Sequence, residues 1–250
     1  RSSLLALIAK SKRTIAIGGT SGKSTTTGML FQILEHAGMD ASIISGAGLV
    51  HIIKEGKIGN AKAGKGDWLV IEADESDGSI VQYEPEIGLL LNIDKDHKEI
   101  DELMGVFNTF RNNAKQLFVV NQSHGLAKQL SKNIQHDFSV DENSGAGFIA
   151  KDFKQEGLHI SFSVNAVMFS MNQVGRHNME NALAATAVAN QVGIDLSVCA
   201  AALQQYEGIY RRHQVLGNKH GVWLIDDYAH NPAKCAASIQ ACQYIASIAI

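Results

Sequence analysis

Thr14-Ile-Ala-Ile-Gly-Gly-Thr-Ser-Gly-Lys-Ser-Thr25 decides the architecture. Residues 14–17 are apolar or β-branched and run into Gly18-Gly19. That reads as a short buried strand ending in a glycine turn. Residues 23–37 read as a helix closed by Gly38. Between strand and helix lie small residues, whose backbone N–H groups can turn inward around an anion. The helix N-terminus adds a favourable dipole. Lys23 has the reach for β- and γ-phosphates, and the Ser24 hydroxyl suits Mg²⁺. The residue five before Gly22 is Ile17, so the loop is one residue tighter than G-x-x-x-x-G-K-[ST]. The competing reading is an ordinary strand–turn–helix with chance Gly and Lys. The context on both sides favours the phosphate loop.

Working outward, residues 41–45, 68–73, 87–93 and 116–121 read as strands. The runs Trp68–Ala73 and Ile87–Ile93 are nearly continuous in apolar residues, as parallel strands buried on both faces are. Helices are expected at 99–115 and 124–132, and a loop or hairpin at 54–66. This alternation predicts an α/β fold: a P-loop-type, mostly parallel sheet flanked by helices. Short runs at 148–153, 159–164 and 167–171 predict a small antiparallel patch. The Ala-rich helix 178–192 and the helix 196–206 are expected to cover one sheet face. Strands at 213–217 and 222–226 and a helix at 232–244 follow. The turn cluster 216–221 marks a boundary, giving a unit 1–218 and the incomplete start of a C-terminal α/β domain, 219–250. Both ends read as cut from something longer.

Composition narrows the function. The chain has 250 residues, 45% hydrophobic and 19% charged, enough for a real core and too apolar for disorder. Net charge is −3 and no long basic run occurs, which argues against nucleic acid or an anionic membrane as partner. No apolar run reaches membrane-spanning length. The three cysteines, Cys199, Cys235 and Cys242, form no CxxC pair and read as packing residues of a reducing, cytoplasmic compartment.

Chemistry-bearing residues cluster at strand ends. Glu72-Ala-Asp-Glu-Ser-Asp77 follows one strand, and Asp94, Asp96 and His97 follow another. In open parallel sheets ligands bind beyond the carboxyl ends of the strands. Lys23, Glu72 and His97 are therefore expected on one rim, as a metal site beside a triphosphate. Mg²⁺ is the first expectation, with Mn²⁺ possible because of the imidazole. A solvated acidic loop is the alternative for Glu72–Asp77, and a capping neighbour of Asp96 for His97. Gly175-Arg-His-Asn-Met-Glu-Asn181 opens the Ala-rich helix. Its Asn amides fit an adenine edge, or Asn178 simply caps the helix. Arg211-Arg212 can clamp phosphoryl oxygens or be surface charge. Asp226-Asp-Tyr-Ala-His230 can accept from a ribose hydroxyl or form a turn before Pro232. His36, His51, His124, His136, His159, His213 and His220 lack metal-ligand spacing and read as fillers.

Taken in order, Gly19–Thr25, Glu72–Asp77, Asn92–His97, Gly175–Ala182, Arg211-Arg212 and Asp226–His230 resemble the ATP-dependent Mur ligase family, most of all its alanine-adding branch. The resemblance covers roughly 13 to 244. It implies a central ATP-binding domain followed by the opening of an amino-acid-binding domain. It implies ATP contacts by Gly19, Thr20, Ser21, Gly22, Lys23, Ser24, Thr25, His177, Asn181, Arg212 and Asp227. Metal would be held by Ser24, Glu72 and His97, and the catalytic set would be Lys23, Glu72 and His97. The implied reaction is amide ligation: a UDP-sugar carboxylate takes the γ-phosphoryl group of ATP, and an amino acid displaces phosphate. Ser21, His213, Ala229 and Asn231 depart from the alanine-adding pattern. A murein-peptide or folylpolyglutamate-like ligase, or a P-loop NTPase without ligase activity, therefore stands as the alternative. The chain alone is expected to be inactive in ligation.

Overall fold

A computed structural model describes residues 2–95, 98–229, 232–243 and 245. After helix α1 (Ser2–Lys10) comes β1 (Arg13–Gly18), the inner strand on which the molecule is built. Every β1 residue after Arg13 is buried, because the strand is flanked on both edges and covered on both faces. β2 (Ser42–Ile44), β3 (Ala61–Lys62), β4 (Trp68–Glu72), β5 (Ile87–Leu90) and β6 (Leu117–Val120) complete a six-stranded sheet of order β3-β2-β4-β1-β5-β6. All neighbours are parallel except β3, which pairs antiparallel with β2 at the edge. β1 lies between β4 and β5, so three strand ends converge on one crevice.

The two faces are covered differently. α2 (Lys23–His36) buries Met29, Leu30, Phe31, Ile33 and Leu34 on nearly all sides, as a helix enclosed by other layers does. α3 (Val50–Lys54) is a single short helix after β2. On the opposite face α4 (Ile100–Asn113) buries Leu103, Phe107 and Phe110, a stripe spaced by four and three residues. Phe110 meets Phe118 of β6 edge to face at 5.5 Å.

The small sheet, β7 (Phe138–Ser139), β8 (Phe148–Glu156), β9 (His159–Val164) and β10 (Val167–Met171), has the order β10-β9-β8-β7. It is antiparallel except for β7, which runs parallel to β8. α5 (Arg176–Gln191) and α6 (Leu196–Gln204) do not cover the main sheet as expected. α2 returns over that face directly from β1, so α5 and α6 pack between α2 and the small sheet. The buried Ala182, Ala184, Ala185, Ala187 and Ala189 of α5 let these layers approach closely.

Three further expectations change. Residues 124–132 hold only a 3₁₀ turn, Ala127–Leu130. The His124 Nδ1 takes the Ala127 N–H at 3.3 Å, and Gly125 adds its own helix penalty. The 54–66 stretch contributes β3 and then passes so close to the 39–41 backbone that a Cβ at Gly66 would lie 1.9 Å from the Met39 carbonyl oxygen. Finally β11 (Gln214–Lys219) and β12 (Val222–Asp226) form one hairpin. Its His220-Gly221 turn has positive φ at both residues, 54° and 82°, as a two-residue hairpin turn requires. The expected boundary between 218 and 219 therefore cuts a paired ribbon. α7 (Pro232–Gln243) follows it. Cys199 is buried, but Cys235 is exposed, so the latter is not a packing residue. Among the described residues no helix is long and apolar enough to cross a membrane.

Candidate active site

A cavity of about 560 Å³ opens where β1, β4 and β5 end, and the phosphate loop forms its floor. The loop bends through left-handed glycines, Gly19 (φ 139°) and Gly22 (φ 85°). At Gly22 a Cβ would stand 2.5 Å from Asn181 Oδ1, so any other residue would strain the left-handed turn and push Asn181 aside. No side chain caps the N-terminus of α2, which leaves its first N–H groups free for an anion. Lys23 Nζ donates to the Gly19 carbonyl at 2.7 Å and to Glu75 Oε2 at 2.8 Å. The Lys23 and Glu75 side chains are only 16% and 7% exposed. The pair folds the lysine back over its own loop, where a γ-phosphate would replace Glu75.

Asn92, at the end of the β5 run, staples the loop from the other side. Its Oδ1 accepts from Thr20 Oγ1 at 2.9 Å and from the Ser21 N–H at 2.8 Å, and its Nδ2 donates to the Ser21 carbonyl at 3.1 Å. Thr20 also accepts the Asp94 N–H at 3.0 Å. His124 Nε2 sits 3.2 Å from Asp94 Oδ1. Because His124 Nδ1 accepts from Ala127, the proton lies on Nε2. That bond, opposed by burial, holds the Asp94 carboxyl below the usual carboxylate range.

Glu72 and Ser24 share the cavity with Lys23. Glu72 Oε1 accepts from Ser45 Oγ at 2.6 Å and the Gly46 N–H at 2.7 Å. Among the described residues, Glu72 Oε2 and the Ser24 hydroxyl take no hydrogen bond. Two free hard oxygen donors beside a phosphate loop fit Mg²⁺, which prefers oxygen and keeps part of its water. His97 lies outside the described residues, so the expected third member of this rim is not placed.

The far wall is built from α5 and the C-terminal ribbon. His177, Asn181, Arg212 and Asp227 all line the cavity. The His177 residue as a whole is exposed, but its ring lies against the cavity wall; loss of hydration there, then repulsion from His213, lowers the imidazole to about 4, so it is neutral near pH 7. Asn181 Oδ1 accepts from Thr26 Oγ1 at 3.2 Å, tying α5 to α2. Asp227 is already engaged. Its Oδ2 accepts from the His213 N–H at 2.8 Å and faces the His213 Nδ1 at 3.0 Å; Oδ1 accepts the Ala229 N–H at 2.7 Å. Burial pushes the Asp227 carboxyl up, but these bonds win and hold it below its ordinary range.

Sequence reasoning missed Glu75, Asn92 and His213. Glu75 and Asn92 stood inside quoted segments without a role. His213 was read as a filler, yet it lines the cavity and packs at 5.9 Å from His177. The adjacency of Arg211-Arg212 to His213, one residue before a strand, was the available signal.

Comparison with known proteins bears on this site. A family profile described as the Mur ligase middle domain matches residues 17–189. A UDP-N-acetylmuramate–L-alanine ligase from a Cyanothece strain is 33% identical over 260 residues, covering 96% of this chain and 52% of that protein. The protein of the same name from a Synechocystis strain is 34% identical over 250 residues, covering 96% and 48%. The chain thus spans about half the length of the curated relatives it matches. Among solved structures, the UDP-N-acetylmuramate-alanine ligase of Thermotoga maritima superposes with a TM-score of 0.86 at 24% identity, covering 98% of this chain and 57% of that one. A murein peptide ligase from Psychrobacter arcticus gives 0.76 at 24% identity, with 97% and 57% covered. At these identities the structures establish the fold.

Proposed function

The chain belongs to the Mur ligase family, and from that premise we propose that it is the ATP-binding part of an ADP-forming carboxylate–amine ligase. The whole protein joins L-alanine to the carboxylate of UDP-N-acetylmuramate in cytoplasmic peptidoglycan precursor synthesis. The names of the two relatives above support the substrate pair. One observation carries the chemistry: Lys23, Ser24 and Glu72 line a single cavity with the phosphate loop. The division of the chain moves with the ribbon: we place 1–213 in the ATP-binding unit and the ribbon with α7 at the opening of the next.

The residues of the chain do positioning and charge work. The loop N–H groups and Lys23 hold the β- and γ-phosphates, and Lys23 exchanges Glu75 for phosphate oxygens. Ser24 and Glu72, joined by His97 as the resemblance implies, would hold Mg²⁺, which supplies charge neutralisation on the transferring phosphoryl group. Asn181 and His177 flank the base, Arg212 meets phosphate, and Asp227 meets the ribose while remaining bonded to His213. The substrate carboxylate attacks the γ-phosphorus, giving an acyl phosphate and ADP. The amine then attacks the acyl carbon and phosphate leaves. No protein atom is covalently altered, so the rate comes from alignment and preorganised charge.

The test is ADP release by the whole protein with ATP, Mg²⁺, UDP-N-acetylmuramate and L-alanine. Release that needs both the carboxylate and the amine is expected. Release with neither present would show an NTPase instead, and release only with a muramyl tripeptide would move the substrate to the murein-peptide branch. The 250-residue chain alone is expected to bind nucleotide without ligation.

A further inference from the structure

The register of the main sheet brings Ser45 beside Glu72. β2 and β4 run parallel with Ile44 opposite Ile71, so the next residue of each strand leaves the sheet as a neighbour of the other. The Ser45 hydroxyl has two partners. It accepts the Ala47 N–H at 3.3 Å and stands 2.6 Å from Glu72 Oε1. A hydroxyl carries one proton. With the Ala47 N–H on a lone pair, that proton goes to Glu72. The Gly46 N–H reaches the same oxygen at 2.7 Å. Oε1 is thus bonded twice, while Oε2 takes no hydrogen bond among the described residues. The donor is anchored in turn: the Ser45 N–H donates to the Asn60 carbonyl at 2.8 Å.

The two neighbours act differently. Gly46 lines the cavity, and a Cβ there would stand 3.1 Å from Glu72 Oε2, so its missing side chain leaves that oxygen uncovered. Ser45 is only 6% exposed and lies behind the wall, where it cannot meet a bound ion. Resting on the metal reading above, we propose that Ser45 and Gly46 are positioning residues for Glu72: they pin one carboxylate oxygen and present the other to the divalent cation. Each carboxylate oxygen has about two lone-pair sites, and Ser45 with Gly46 takes both on Oε1. Glu72 is left as a one-oxygen ligand, which suits the close octahedral shell of Mg²⁺. Its orientation is set before the ion arrives, as partners behind metal ligands generally do.

The probe is the non-hydrolysable ATP analogue with a β,γ-imido bridge, titrated by calorimetry into the whole protein in excess Mg²⁺ and again in EDTA. The quantity read is the ratio of the two dissociation constants, EDTA over Mg²⁺, expected well above one for the wild type. A weaker hold on the metal lowers this ratio by linkage. Ser45→Ala should cut it about tenfold, the usual loss when a partner behind a metal ligand is removed, with the constant in EDTA unchanged. Ser45→Thr keeps the hydroxyl and should keep the ratio. Gly46→Ala, which retains Ser45 but crowds Oε2, should also cut it, and it reads the same effect should Ser45→Ala fail to fold. An undiminished ratio in Ser45→Ala or in Gly46→Ala overturns the inference and leaves the metal site standing. Equal losses with and without metal overturn it too, because Ser45 would then serve the fold alone. A wild-type ratio of one removes the metal reading and this inference together.

Discussion

Replacing Lys23 separates two roles that one side chain combines. In Lys23→Met the ammonium that joins Glu75 at 2.8 Å and Gly19 at 2.7 Å is gone. Glu75, 7% exposed, is left as an uncompensated carboxylate. Removing one partner of a fully buried pair costs about 3–5 kcal/mol. Lys23 keeps 16% exposure, so some solvent screening remains and about 2 kcal/mol is the better expectation. For a chain of this size that is a fall in Tm of about 4–8 °C. The double variant Lys23→Met/Glu75→Gln should recover most of that loss, because no buried charge is stranded. It should not recover ATP binding, which depends on the ammonium itself and is expected to fall at least about tenfold in both variants. Thermal denaturation and calorimetry with ATP read the two effects independently. If Lys23→Met melts with the wild type, or if the double variant melts no higher than the single one, the Lys23–Glu75 pair does not hold the loop and the reasoning fails.

Three other predictions test separate links. His177, lowered to about 4 in the folded state against about 6.5 unfolded, binds its proton more readily when unfolded. Its contribution therefore destabilises the fold as pH drops from about 6.5 to 4; an NMR titration should show its ring signals still unmoved at pH 5, and His177→Phe should flatten the acid limb of the Tm profile. Gly66→Ala forces a Cβ to 1.9 Å from a backbone carbonyl and should cost about 3 kcal/mol, whereas Gly105→Ala, with nothing near its Cβ, should melt at or above the wild type. Asn92→Ala removes the three bonds that staple Thr20 and Ser21; ATP affinity should fall by about tenfold while Tm changes by only a few degrees, and unchanged affinity would show that the loop is rigid without it.

What the sequence made legible follows from how local each signal is. Strands β1, β4 and β5 announce themselves by continuous apolar runs, and the loop before α2 by glycines placed between strand and helix. These need only neighbours within a few residues. The contacts that arm the site are not local: Lys23 meets Glu75 across 52 positions and Ser21 meets Asn92 across 71. No periodicity encodes such pairs; they exist only once β4 and β5 lie on either side of β1. The same holds for the α5–α6 layer, where an Ala-rich pattern marks close packing without saying against what. The 218/219 boundary falls inside a paired hairpin for a related reason. A Gly-containing turn looks the same within a hairpin and between domains until the strands around it are seen to pair.

One contact joins the two ends of the cavity. Asn181 of α5 accepts a hydrogen bond from Thr26 and fills the space that a side chain at position 22 would need. Helix and loop therefore cannot shift independently. Adenosine and inorganic triphosphate, offered as separate fragments, would meet walls whose relative position is already set, so neither would have to order the joint for the other. The two fragments should therefore bind almost independently, and the intact nucleotide should exceed their sum chiefly by what its covalent tether supplies.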